Sequence, residues 1–472
     1  MKKIDGKLMG PISKKDLVLL AIKPFWKGVT EIGKHAFKEC SNLTSITIPE
    51  GVTAIGEDAF DRCSSLTSIT IPEGVTTIGR GAFFGCKNLT SITIPKGITK
   101  IREWAFSNCS SLTSITIPEG VTIIDEYAFS NCESLTSVTI PEGVTTIGNR
   151  AFKECSSLTS VTIPEGVTTI GDYTFTECSS LTSVTIPEGV TEIGEGAFYN
   201  CRRLTSVTIP EGITEIREWA FSDCSSLTSI TIPEGVTTIG RGAFFGCKNL
   251  TSITIPEGVT TIGDFAFAAC SRLTDIIIPK GVKEIGSTAF SGCKSLTSIT
   301  IPDSVTAIGE SAFKDCRNLT SVTISEGLTI IGSQAFAGGG SLEEIEIPAS
   351  VKEIKNDAFY GCTKLEKAVL HTENLEEILK AFENCPLKEL VVLDKFENEY
   401  SYTKLEEIFA DPQKFIKELK DGEIETQKQI YELSSGTETG TKLTNLASIT
   451  ASTVVMAASS TPTSQSESFD KN

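Results

Sequence analysis

Cysteine is the residue type in this chain best equipped for chemistry, and there are fifteen of them. A thiolate can attack an electrophile, ligate a metal or exchange into a disulfide. Their spacing argues against all three. Thirteen of them, from Cys40 to Cys316, recur every 23 residues, and Cys362 and Cys385 keep the same count after Gly339 replaces one. No C-x-x-C pair occurs, and with only two histidines, His35 and His371, the chain argues against a His-based metal site or a catalytic triad. There is no P-loop and no G-x-S-x-G. Catalysis needs unlike groups converging on one point, whereas a repeat sets like groups in rows. The expectation is a protein that is not an enzyme and uses no cofactor and no metal.

What positions a cysteine every 23 residues is a structural repeat. A phenylalanine precedes each position of the cysteine ladder by three residues, from Phe37 to Phe382, and a proline follows most of them by nine, as at Pro49, Pro72 and Pro95. Within one unit, Leu66, Ile69 and Ile71 carry the L-x-x-L-x-L spacing of a short strand with Ile69 and Ile71 inward and Thr70 outward. Pro72 cannot donate a ladder hydrogen bond and closes the strand. Gly74 follows in a turn where it is free to take a positive φ. A second extended run covers residues 75–78, and Ala82-Phe83 starts a helical or 3₁₀ turn. One unit alone could not bury its Leu, Ile, Val, Ala, Phe and Cys; a stack of more than a dozen can.

The motif LTSITIPEGVTTIGRGAFFGC at residues 66–86, recurring over about residues 29–390, resembles the BspA-like branch of the leucine-rich repeat family. The resemblance implies a curved right-handed α/β solenoid of about 15–16 coils. It also implies surface display on bacteria or protozoa, with binding of host proteins or other cells as an adhesin. The parts read as an N-terminal cap (1–28), the solenoid (29–390), a helical C-terminal cap (391–433) and a disordered Ser/Thr-rich tail (434–472). Phe25 and Trp26 are expected to cover the first coil, and short charged helices are expected over 404–409, 412–419 and 424–433.

The apolar run at 17–22 is shorter than a signal-peptide core, and no segment reaches the ~18 apolar residues of a membrane span. Evenly spaced, core-facing cysteines read as a reduced apolar ladder, which leans towards the cytoplasm. The family resemblance leans towards the cell surface or non-classical secretion. A net charge of −18 argues against nucleic acid as a main partner, since phosphate binding needs clustered Lys and Arg. The partner expected is a protein ligand or a cell-surface glycan, bound either by an adhesin or by an intracellular scaffold or exported effector.

Three surface rows are candidates for binding it. Outward Ser-x-Thr pairs, including Ser114/Thr116 and Ser137/Thr139, would form a hydroxyl-bearing sheet. Glu73, Glu119, Glu142 and Glu165 head an acidic row at the turn, which reads first as a solvated edge. The position two before the ladder phenylalanine is the most variable, and strand constraints are absent there. It carries Trp104, Tyr127, Tyr173 and Trp219, and exposed aromatics are the commonest interface anchors. Blocks also recur: 79–95 repeats unchanged at 240–256, and 101–121 repeats at 216–236 with Asn108 changed to Asp223. Such copying suits binding spread over several coils.

Overall fold

Each coil is held by what its side chains cannot do in water. Coil 66–88 has Ile69 buried between exposed Ser68 and Thr70 in the strand Ser68–Thr70. Val75, Ala82, Phe83 and Cys86 are fully buried, and Ile71 and Ile78 nearly so. The computed structural model describes residues 2–4, 6–10 and 26–371, together with parts of 378–421. It comprises two compact units, 1–296 and 297–472.

In the first unit, coils stack in register without a shift. Ser91, Ser114, Ser137, Ser160 and Ser183 pair in sequence along one parallel ladder. A second ladder joins two-residue strands such as Lys100–Ile101, Ile123–Ile124 and Thr146–Ile147. Between the two strands the chain turns with Val75 N–H on the Pro72 carbonyl at 3.0 Å. Gly74 does not have the positive φ expected of it; the left-handed glycines of this coil are Gly81 and Gly85, at +57° and +69°. Threonine hydroxyls add side-chain ladders, as from Thr113 to the Thr90 carbonyl at 3.3 Å.

The third segment of the coil is a run of turns and not a helical turn. Gly81, Phe83 and Gly85 donate their N–H to Glu103, Ala105 and Ser107 of the next coil at 2.8–2.9 Å. Ala82, Phe84 and Cys86 donate back to residues three before them at 3.0–3.2 Å. Left-handed φ at two positions per coil reverses alternate peptides, so half of the donors point along the stack. A helix would aim them all along its own axis.

The core of this unit is a phenylalanine stack. From Phe37 to Phe290, successive rings lie 4.8–5.8 Å apart and within 12° of parallel. Beside it run the cysteines, none of them in a disulfide. From Cys63 to Cys293 each thiol donates to the carbonyl of the phenylalanine one coil back, as from Cys109 to Phe83 at 3.2 Å. Cysteine suits the position because it is small and apolar yet carries a donor for a buried carbonyl. The unit begins with an antiparallel hairpin, Lys2–Ile4 with Lys7–Met9, whose second strand pairs in parallel with Glu31–Ile32. Leu8 is fully buried there and Trp26 is 9% exposed. This hairpin was not foreseen; residues 17–22 and Phe25 lie outside the described residues.

The second unit repeats the scheme with longer strands. Ser298–Ile301 pairs with Ser321–Ile324, Glu344–Ile347 with Lys367–His371, and Lys367–His371 in turn with Glu389–Leu393, all in parallel. Ser325, standing where the proline would be, donates its N–H to the Ile301 carbonyl at 3.1 Å, a bond proline cannot make. Glu399–Tyr402 then pairs antiparallel with Glu389–Leu393. The helix Leu405–Ala410 follows, and the Asp411 carboxylate accepts from Lys414 N–H at 3.0 Å, as a helix cap does. The helix expected at 424–433 and the Ser/Thr-rich tail at 434–472 lie outside the described residues. No described helix is long and apolar enough to cross a membrane.

Candidate functional site

The hydroxyl sheet is built by strands whose centre is buried. Ser114 and Thr116 flank buried Ile115, and Ser137 and Thr139 flank buried Val138, so all four hydroxyls face solvent on adjoining strands. The turn glutamates Glu119, Glu142, Glu165 and Glu188 are exposed too.

The aromatics sit elsewhere, on the turn segment, at a position that is not free of constraint. Trp104, Tyr127, Arg150 and Tyr173 hold φ of +61°, +54°, +56° and +56°. Left-handed backbone costs an ordinary residue roughly 1–2 kcal/mol, and glycine or asparagine would carry it more cheaply. Bulky rings are nevertheless placed here on coil after coil. Trp104 stacks on Tyr127 with centroids 3.9 Å apart at 9°. Arg150 lies 5.4 Å from the Tyr127 ring and 4.9 Å from the Tyr173 ring, sandwiched between them. Phe84 meets Trp104 at 5.9 Å and 67°. Trp104, Tyr127 and Tyr173, three of the four aromatic candidates, thus join into one half-buried ridge. The Ser/Thr candidates remain on a separate segment of the coil.

Each polar tip in the ridge makes at least one hydrogen bond. Trp104 Nε1–H donates to Glu103 at 2.7 Å, and Arg150 donates to the Tyr127 hydroxyl at 2.8 Å. The Tyr173 hydroxyl donates to Glu195. Burial and that carboxylate push Tyr173 up to about 12. Arg80 grips Glu103 through two bonds of 2.9 and 3.1 Å and holds its carboxyl below the usual range. Sequence reasoning did not single out Arg150, Phe84 or Glu195. Only Arg150 carried a signal, as the one cation at the aromatic position between two tyrosines.

Trp219 stands apart from the ridge. Its ring meets Phe245 at 6.0 Å and 72°, and Arg241 lies 5.8 Å from it and 5.4 Å from the Phe265 ring. Arg241 occupies in its copied block the place of Arg80, which grips a carboxylate instead. Trp219 matches Trp104 likewise, yet the blocks follow each other in opposite order. Identical sequence therefore builds two different clusters, which weakens the case for uniform binding along the array.

Replacing Trp104 by asparagine should change unfolding free energy by less than about 1 kcal/mol. The lost stacking, about 0.5–1.5 kcal/mol, is offset by relief of the left-handed backbone. Chemical denaturation of parent and variant measures it, and a loss above 3 kcal/mol would make the ring a core element.

Residues 103–200, which carry the ridge, hold thirteen Asp and Glu against two Lys and Arg, a balance of −11 out of −18 for the chain. Arg80 and Lys100 of the preceding coils pair with two of these carboxylates, Glu103 and Asp125. A cleft of about 280 Å³ is lined by Glu133, Glu154, Glu177 and Arg202. No group of three or more potential metal ligands occurs among the described residues.

The BspA type leucine rich repeat region (6 copies) matches residues 30–157, 99–228, 145–273, 191–316 and 283–406. The chain is similar to the solved structure of a leucine-rich repeat protein from Bacteroides ovatus: 33% identity, 77% of this chain and 87% of that one covered, TM-score 0.63. It is also similar to a leucine rich cell surface protein from Faecalibacterium prausnitzii, at 36% identity over 62% of this chain and 90% of that one, TM-score 0.47. No curated protein matches it.

Proposed function

From the premise that the chain belongs to the BspA-type leucine-rich repeat family, we propose that it is a non-enzymatic scaffold that binds a protein ligand through the ridge of Trp104, Tyr127, Arg150 and Tyr173. Leucine-rich repeat proteins serve as protein–protein interaction scaffolds. The observation that carries the choice of surface is the stacked run of Trp104, Tyr127, Arg150 and Tyr173 on successive coils, each at left-handed φ, where glycine or asparagine would be less strained. The hydroxyl sheet of Ser114, Thr116, Ser137 and Thr139 is the secondary surface, and the Trp219 cluster a separate one.

The setting that agrees with the family is the cell surface, as an adhesin. One observation favours the other setting: fifteen cysteines outside any disulfide suit a reducing compartment, hence an intracellular scaffold or an effector exported into a host cell. Protease treatment of intact source cells separates the two. Loss of the protein supports the adhesin, and protection supports the intracellular reading. For the ridge itself, quantitative pull-downs should show proteins captured by the parent and lost with Trp104→Asn/Tyr127→Asn. An unchanged capture profile overturns the choice of surface.

A further inference from the structure

We propose that the ridge receives a basic amphipathic protein segment, an apolar face edged with Lys or Arg, and not a glycan or a quaternary ammonium group. This rests on the ridge being the contact surface. The ring faces decide the class of ligand. Sugars stack on an open aromatic face, and alkylammonium groups sit over one. Here the faces are taken. Tyr127 has Trp104 on one side and the Arg150 guanidinium on the other. Tyr173 has Arg150 on one side and lies over Gly196 on the other, so closely that a Cβ there would come within 2.5 Å of the ring. Trp104 is covered by Tyr127 and met by Phe84.

What the ridge offers is ring edges, with its polar tips already engaged on carboxylates or on one another. Ring edges with engaged tips favour an apolar partner surface. Charge selects among such partners. The coils that carry the ridge are acidic, −11 over residues 103–200 before Arg80 and Lys100 pair with Glu103 and Asp125, and the ridge's one cation is held between two tyrosines. An apolar face edged with acid would be repelled, and one edged with Lys or Arg is drawn in. The length fits a short segment: three coil spacings of about 4.8 Å match roughly ten residues of helix at 1.5 Å each.

The test titrates the full chain with a labelled 18-residue helical Leu/Lys peptide, its Leu/Glu counterpart and maltohexaose, read by anisotropy and calorimetry. The Leu/Lys peptide should bind, weaken with salt, and bind at least tenfold less well to Trp104→Asn/Tyr127→Asn. Tyr360→Ser, which removes an exposed aromatic elsewhere, should leave binding unchanged. Glu119→Gln/Glu142→Gln/Glu165→Gln, which leaves the ridge intact, should flatten the salt dependence. Failure of the Leu/Lys peptide to bind, or equal binding of the Leu/Glu peptide, overturns the basic partner. Undiminished binding of Leu/Lys to the ridge variant overturns the ridge as the contact surface. Maltohexaose binding that the ridge variant loses leaves the ridge standing and overturns the ligand class.

Discussion

Phe175→Ala should destabilise its region of the array by about 3–5 kcal/mol, the usual loss for a buried aromatic, and split one unfolding transition into two. Phe175 is fully buried and stacked between Phe152 at 5.6 Å and Phe198 at 5.5 Å. Its carbonyl also accepts the Cys201 thiol at 3.2 Å and the Cys178 N–H at 3.1 Å. Alanine would leave a void that neighbours cannot fill, since each ring is held in register by its own coil. In a stack where coils touch only their neighbours, such damage weakens an interface and leaves distant coils intact. Calorimetry should show a separate low-temperature transition, and limited proteolysis should cut near coil 175 first. A single transition at the parent temperature would mean that the stack is not the core.

The protein should also become steeply less stable above about pH 9. Burial pushes Cys86, Cys132, Cys178 and Cys270 up to about 12, and Cys362 to about 11. An unfolded cysteine ionises near 8.5. Below that pH both states keep the proton, and the thiols contribute their full stability. Above it the unfolded chain sheds protons that the folded coils retain. Stability therefore falls until the folded value is reached, by roughly 1.4 kcal/mol per thiol per pH unit. Denaturant midpoints should be flat from pH 7 to 8 and then drop, with a shallower drop in Cys132→Ala/Cys178→Ala. A flat midpoint through pH 10.5 would defeat the claim. Alkylation at neutral pH is a companion measurement: Cys385, the partly exposed thiol, should react first, while fully buried thiols wait for their coils to open.

Much of the coil could be read directly because each apolar position repeats without compensation. A phenylalanine that recurs through every coil can only be core, and the L-x-x-L-x-L spacing dictates which strand residues face inward. The turn segment was less legible. Its left-handed positions were disguised by Trp104, Tyr127, Arg150 and Tyr173, residues that seldom adopt that backbone. The clue lay across coils and not within one: Asp58, Gly81, Gly196 and Gly242 share the position with them. Asn108, Asn131 and Asn200 share the second left-handed position with Gly85 and Gly246. Gly/Asn/Asp at one repeat position is the mark of a left-handed residue. The ridge was half legible. Trp104 and Tyr127 on consecutive coils announced a contact, but Arg150 as its spacer needed the ring geometry. The N-terminal hairpin has only three-residue strands and no repeat to average over, so nothing distinguished it from a loop.

The two unlike clusters that copied blocks build at Trp104 and Trp219 imply a grammar of adjacency. Arg80 grips a carboxylate because Glu103 comes next, and Arg241 lies between rings because Trp219 comes before it and Phe265 after. The meaning of a coil is thus set by its neighbours, so the vocabulary of such a chain is its set of ordered pairs. A lineage that only shuffles existing coils, with no point mutation at all, gains new surface chemistry as the square of the number of coil types. Every reordering keeps the same buried Phe, Cys and Leu columns, so the novelty is confined to the outside while the fold stays indifferent to the order.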